Sequence, residues 1–276
     1  MPARSTWITA SAGILLPVTQ NKLQAVIFDV DGTLAETERY GHRVAFNRAF
    51  EQKGLPDRWS DELYRDLVKV TGGTRRLTHY FVNYKEMDEE QAAVLAAGLH
   101  KIKTQLFVKV VESGEIPARP GVLRFMKELQ ESGLRVAVAT TGTQSWVHPL
   151  VEHLRKQGGL APYEAIVTGD EVDNLKPEPD AFVLACERLG IAADQAVIVE
   201  DSRNGVRAAI ASGSPCLAVQ GEYAEASELE GADLVVDSFG EPGSALKVLD
   251  NRFGLEVGSM LTPELVKELH RRRLKD

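Results

Sequence analysis

Apolar residues fall in short, dense runs separated by amphipathic stretches, except across one long interval that is helical throughout. Val26, Ile27 and Phe28 form a β-branched and aromatic run of the kind found in buried strands, and Leu23 to Val30 is read as the first strand. The pattern returns at Leu134 to Ala139, Ala165 to Thr168, Ala196 to Val199, Cys216 to Val219 and Leu234 to Val236. Helical periodicity fills the gaps, at Val122 to Ser132, Ser145 to Gln157, Pro179 to Leu189 (ended by Gly190) and Asn204 to Ser212. Strands that are apolar along their whole length and alternate with helices predict an α/β fold with a doubly wound parallel sheet.

The first strand is not followed at once by this alternation. Glu36 to Lys53 carries Tyr40, Val44, Phe46 and Phe50 at helical spacing, and Gly54-Leu55-Pro56 ends it. Ser60-Asp61-Glu62 is a capped start for a helix to Val70, and Gly72-Gly73 breaks the chain before a helix from Arg76 to Tyr84. Asp88 to Glu112 is long and Ala-rich, with Leu95, Leu99, Ile102, Leu106 and Val110 on one face. Residues 37–115 therefore read as an all-helical insert, and residues 22–36 with 116–250 as the α/β core. Residues 251–276 read as a helical extension starting strongly at Thr262-Pro263-Glu264, with Arg271-Arg272-Arg273 as a solvated helix end. Residues 1–21 are set aside as an N-terminal extension without expected fixed structure.

Composition narrows the function classes. The chain has 276 residues, 43% hydrophobic and 26% charged, which suits a globular protein with a large core. A net charge of −8 argues against a general nucleic-acid binder but leaves room for a local anion pocket. Two cysteines, Cys186 and Cys216, are too few for a disulfide framework and sit in apolar runs. No stretch approaches the roughly 18 apolar residues of a membrane span, so no membrane partner is expected. The cytoplasm is the expected compartment. A plastid stroma is the alternative if residues 1–21, with Arg4, several Ser and Thr and no acid, belong to a transit peptide.

The candidate chemistry sits at strand ends, where open α/β sheets bind ligands. The first strand ends in Asp29-Val30-Asp31-Gly32-Thr33. Two carboxylates this close repel unless a cation joins them, and hard oxygen ligands suit Mg²⁺. Asp29 can attack phosphorus as a nucleophile, while Asp31 protonates the leaving alcohol and then deprotonates water. Asp29, the Asp31 carbonyl and Asp201 can hold the metal. Thr140 can bond a phosphoryl oxygen, aided by the Thr141 N–H, and Lys176 can neutralise the charge gathering there. Taken singly, these have plainer readings: a Gly turn, a surface lysine before proline, loop punctuation, a helix cap at Asp201 or Ser202. Together, at successive strand ends, they make one site.

The order Asp-x-Asp-Gly-Thr, Thr, Lys-Pro, Glu-Asp resembles the four motifs of the haloacid dehalogenase superfamily of phosphohydrolases and phosphomutases, over about Leu23 to Phe239. The resemblance implies a Rossmann-like core, with the helical insert as a C1-type cap hinged near Ala35–Thr37 and Ile116–Pro120. Gly32, Thr33 and Glu200 would support the site. ETERYGHRVAFNRAF, TGGTRRLTHYF, ARPGV, VATTGT, LKPEPDAF and VEDSRNGVRAA are similar to the CbbY-like branch. Some of its members dephosphorylate xylulose-1,5-bisphosphate, an inhibitor of Rubisco. That implies substrate contacts at Glu36, His42, Gly73, Arg75, Arg76, Thr141 and Gly142, with Arg76 gripping a distal phosphate bidentately. The branch often has Lys-Glu-Arg after the Gly-Gly, and this chain has Thr74-Arg75-Arg76. A Mg²⁺-dependent phosphatase of a small phosphorylated sugar, acting as a monomer, is the expectation. A β-phosphoglucomutase-like phosphomutase and a phosphoglycolate phosphatase are the alternatives, and a non-catalytic interaction protein is disfavoured.

Overall fold

The computed structural model describes residues 22–70 and 72–276, together with the backbone of two short antiparallel strands, β1 (Trp7–Thr9) and β2 (Leu15–Pro17). The expectation for the N-terminal extension otherwise concerns residues outside those described.

Next come β3 (Ala25–Phe28), a π-helical turn (Thr37–His42), α1 (Arg43–Gln52), α2 (Asp61–Leu67), α3 (Gly73–Lys85) and α4 (Glu89–Glu112). The chain continues through α5 (Val122–Glu131), β4 (Arg135–Ala139), α6 (Gln144–Gly158), β5 (Ile166–Val167), α7 (Asp180–Leu189), β6 (Ala196–Glu200) and α8 (Arg203–Ser212). It ends with β7 (Cys216–Val219), β8 (Leu234–Val236), β9 (Val248–Asn251) and α9 (Pro263–Arg273).

Among the described residues, seven strands form one sheet in the order β5-β4-β3-β6-β7-β8-β9, parallel except for β9. The α/β reading with a doubly wound, mostly parallel sheet stands. β3 lies centrally, between β4 and β6, so its carboxyl end opens at the point where the winding reverses. Alternation along β3 explains its apolar run: Val26 and Phe28 join one core cluster and Ala25 and Ile27 the other, so neither face meets water.

Three local differences from the sequence reading have physical reasons. Gly73 is not a breaker but the first residue of α3; only Gly72, at φ +93°, needs the glycine backbone. The helix expected from Glu36 opens with a π turn, which inserts an extra residue before α1. β9 was not expected, because Val248 and Leu249 are exposed on an edge strand and give no buried pattern. The 250/251 boundary thus cuts a strand, and Leu255, Leu261, Leu265, Val266 and Leu269 beyond it join the main core.

The helices α1–α4 build their own aromatic cluster, with Phe46, Phe50, Trp59, Tyr64, Tyr80 and Phe81 at its centre. Ser60 caps α2 by accepting from Leu63 N, and Asp88 caps α4 by accepting from Glu90 N and Gln91 N. Phe107, Val110 and Val111, near the C-terminal end of α4, pack into the core of the sheet instead.

Candidate active site

The carboxyl ends of β3, β4 and β6, with the loop before α7, bring Asp29, Asp31, Thr141, Lys176 and Asp201 to one cleft of about 630 Å³. Asp29 follows β3 directly, its N–H donating to Val199 O at 3.0 Å, which extends the strand pairing to the carboxylate. Lys176 arrives from the loop before α7. Its Nζ donates to Asp29 Oδ1 at 2.5 Å, Glu200 Oε1 at 2.6 Å and Ala139 O at 3.1 Å. It is therefore no surface turn lysine: its side chain is 4% exposed. Burial alone would lower its pKa, but Asp29 and Glu200 reverse that and hold it above the ordinary lysine value.

Glu200 is fully buried and acts as a bracket. Its Oε2 accepts from Asp201 N at 3.0 Å, Ser202 N at 3.2 Å and Ser202 Oγ at 3.1 Å. Gly205 makes room for it, since a Cβ there would stand 1.8 Å from Glu200 Cδ. Asp201 Oδ1 accepts from Thr33 Oγ1 at 3.2 Å. The helix cap of α8 is Ser202, whose Oγ accepts from Gly205 N, so Asp201 is left for the cleft.

Asp29, Glu200 and Asp201 each offer an oxygen within 4.8 Å of the others. Burial pushes Asp29 up to about 8 despite Lys176, and raises Asp201 well above the usual carboxylate range. Burial also lifts Asp31 to about 6, and its Oδ1 is buried without a hydrogen-bond partner. The crowded hard oxygens of Asp29, Glu200 and Asp201 are a donor set that fits Mg²⁺. With Glu200 committed to Lys176 and backbone N–H groups, Asp29 and Asp201 are the side chains of this cluster open to it.

Thr140 is fully buried at the end of β4. Its Oγ1 accepts from Gly142 N at 3.1 Å, which leaves the hydroxyl proton to donate elsewhere. Thr141 lines the cleft. Gly142 does not. Its N–H is engaged by Thr140, and it packs so closely under Trp146 that a Cβ would lie 2.1 Å from the ring.

The helical side of the cleft brings together only some of the residues expected there. Glu36, Glu38 and His42 line it, and Gly73, Arg75 and Arg76 do not. Gly73 is packed against the His100 ring, and Arg75 lies along Gly72. Arg76 is 7% exposed, with Nε on Val70 O at 3.3 Å, Nη2 on Val68 O at 3.3 Å, and Nη1 on Tyr64 Oη at 2.5 Å and Glu38 Oε2 at 3.4 Å. A guanidinium so engaged ties the α2–α3 loop down and has no free fork for a phosphate.

His42 packs tilted against Phe107 with centroids 4.1 Å apart, and burial and Lys103 hold it well below the usual histidine range. Lys103 Nζ lies 2.9 Å from His42 Nδ1, so the neutral ring carries its proton on Nε2, 3.7 Å from Asp31 Oδ1. Sequence reading missed Lys103, which looks like any lysine of an amphipathic helix. It also missed Glu38, Lys69, Arg203 and the loop after β7. That loop grips the helices: Glu222 pairs with Arg39, and Tyr223 Oη donates to Asp61 Oδ1 at 2.7 Å.

A parallel sheet with a buried Asp–Lys–Glu chain and an acid pair at its switch point defines a phosphoryl-transfer core. The model of the haloacid dehalogenase-like hydrolases matches residues 23–213. A CBBY-like protein of Arabidopsis thaliana is 36% identical over 96% of this chain and 82% of that protein. Protein CbbY of Cereibacter sphaeroides is 39% identical over 80% of this chain and 94% of that protein. A mutant of CbbY from Rhodobacter sphaeroides, solved in complex with xylulose-(1,5)bisphosphate, superposes with a TM-score of 0.62 at 38% identity, covering 78% of this chain and 94% of that one. The chain belongs to the haloacid dehalogenase-like hydrolases, in their CbbY-like branch, and is a phosphatase.

Proposed function

We propose that this phosphatase acts with Mg²⁺ on a small phosphorylated sugar, converting xylulose-1,5-bisphosphate to xylulose-5-phosphate. The observation that carries the chemistry is Lys176 held between Asp29 and Glu200 with Asp201 beside them. The similarity to a CbbY that binds the bisphosphate supports the choice of sugar.

Asp29 attacks phosphorus; a bond to its Oδ forms as the ester P–O bond breaks, and Asp31 gives its proton to the leaving alkoxide. Water then attacks the aspartyl-phosphate, Asp31 takes a proton from it, and phosphate leaves with Asp29 restored. Lys176 and the Thr140 hydroxyl stabilise the charge on the transferring oxygens. Asp29, Asp201 and the Asp31 carbonyl would hold Mg²⁺, which would supply Lewis-acid stabilisation of the phosphoryl group. In this reading residues 37–115 are the cap. With Arg76 engaged inside it, the distal phosphate meets Lys69 and Arg203, exposed cations on the cleft wall.

Phosphate release from xylulose-1,5-bisphosphate, ribulose-1,5-bisphosphate, β-glucose-1-phosphate and phosphoglycolate, with and without Mg²⁺, tests this reading. The expected result is Mg²⁺-dependent release, fastest from xylulose-1,5-bisphosphate. Isomerisation of β-glucose-1-phosphate without phosphate release would make the protein a mutase instead.

A further inference from the structure

The arginine of the ARPGV stretch has no part in the chemistry above, yet it is buried where both linkers meet the active-site loops. The linkers run as a short antiparallel ribbon: Ala35 bridges Ala118, Arg119 N donates to Leu34 O at 2.9 Å, and Glu36 N donates to Pro117 O at 3.1 Å. From this ribbon the guanidinium reaches three ways. Nη1 donates to Gly32 O at 2.6 Å, Nη2 donates to Gln220 O at 2.9 Å, and Nε faces Glu36 Oε1 at 3.1 Å.

Those contacts frame Asp201. Its carboxylate lies in a slot between Gly32 and Gly221: a Cβ on Gly32 would stand 2.0 Å from Asp201 Oδ2, and one on Gly221 2.5 Å from the same oxygen. The two walls belong to segments remote in sequence, and Arg119 bonds a carbonyl on each. A planar fork with several fixed donors can span them; a lysine ammonium is a single point on a flexible stem. Beyond Gly221 the same loop runs into Glu222 and Tyr223, which hold Arg39 and Asp61 of the cap, and the Glu222 carbonyl accepts from Arg65 Nη1 at 3.1 Å.

We propose that Arg119 is a positioning residue that sets the width of the Asp201 slot and couples it to the seating of the cap, so that one buried guanidinium holds both the metal carboxylate and the linkers in register. This rests on the reading of Asp201 as a metal ligand. Groups that orient metal ligands typically change affinity by about 10–100-fold when removed.

The test is Mn²⁺ binding to the full chain without substrate, read by the electron paramagnetic resonance of the free ion, alongside the Mg²⁺ dependence of p-nitrophenyl phosphate hydrolysis. Arg119→Ala and Arg119→Lys should each weaken Mn²⁺ binding by about 10-fold or more and raise the half-saturating Mg²⁺ concentration by a similar factor. Added guanidinium ion should restore the Ala variant, where it has a space to fill, and not the Lys variant. If both variants bind Mn²⁺ within about twofold of the wild type, or if Lys binds like the wild type, the proposal is overturned. Should the Ala variant be insoluble, the Lys variant decides by the same measure. A wild type that binds no Mn²⁺ removes the metal reading and this proposal together, whereas unchanged variants beside a binding wild type remove this proposal alone.

Discussion

The two walls of the cleft are built on different terms. On the sheet side, Asp29, Glu200 and Asp201 sit on strand ends or the residues just beyond, and Lys176 reaches in from the loop before α7 to bond Asp29 and Glu200 out of contact with water. On the helical side, His42, Lys69 and Glu38 project from helix and loop positions, and the wall meets the core through the apolar end of α4 (Phe107, Val110, Val111) and, at the loop after β7, through the Arg39–Glu222 pair and the Tyr223–Asp61 hydrogen bond. The sheet wall suits chemistry, which needs atoms placed within fractions of an ångström. The helical wall suits selection and closure, because surface pairs are worth only about 0–1 kcal/mol each and can be exchanged.

If the comparison is right, substitutions should grade accordingly. Asp29→Asn removes the nucleophile and should lower kcat at least ~10³-fold on every substrate, in a phosphate-release assay with the fold checked by circular dichroism. Lys176→Met leaves two buried carboxylates facing each other. It should cost roughly 3–5 kcal/mol in urea unfolding and ~10²–10³-fold in kcat. Retention of full stability would show that the buried chain is not the structural element described here.

On the helical side the effects should shrink and become selective. Arg76→Ala should cost about 2–3 kcal/mol of stability by unpairing Glu38 and the loop carbonyls, and should alter KM alike for a bisphosphate and for p-nitrophenyl phosphate. A loss confined to bisphosphates would return Arg76 to the phosphate site. Arg203→Ala should instead raise KM for the bisphosphate by about 10-fold, as expected for losing one charge-assisted contact, while sparing p-nitrophenyl phosphate.

The smallest effect concerns the clasp that Arg39 and Asp61 form with Glu222 and Tyr223 of the loop after β7. Arg39 holds Asp61 down at about 2, below its ordinary value of 3.8. A depressed carboxylate contributes its stabilisation above the unfolded value and loses it as pH falls toward the folded one. The clasp should therefore be constant from pH 5 to 8 and weaken only between about pH 4 and pH 2. Arg39→Ala should change KM by about twofold or less at any pH in the upper range.

Much of this was legible beforehand, and the parts that were not share a cause. The parallel strands announced themselves because both faces of the sheet are buried, so an apolar run is the only sequence that fits; β9, exposed at the edge, carried no such mark. Asp29, Thr140 and Glu200-Asp201 were readable because a strand end fixes the direction of the residues that follow it, and Lys176 was readable from the Lys-Pro pair that precedes α7. The partners of Arg76 were not foreseen, and Lys103 and Arg119 passed unnoticed, because a helix or linker position says which residue is present but not which partner it meets.

The sequence alone determined the doubly wound core, the helical insert and the acid-rich strand ends, since burial and local backbone geometry act on neighbours along the chain. Only the tertiary structure decided which cations remain free for a ligand. That depends on pairings such as Arg76 with Glu38, or Arg119 with Gly32 and Gln220, between segments dozens to a hundred residues apart, where charge and reach offer many partners and packing selects one.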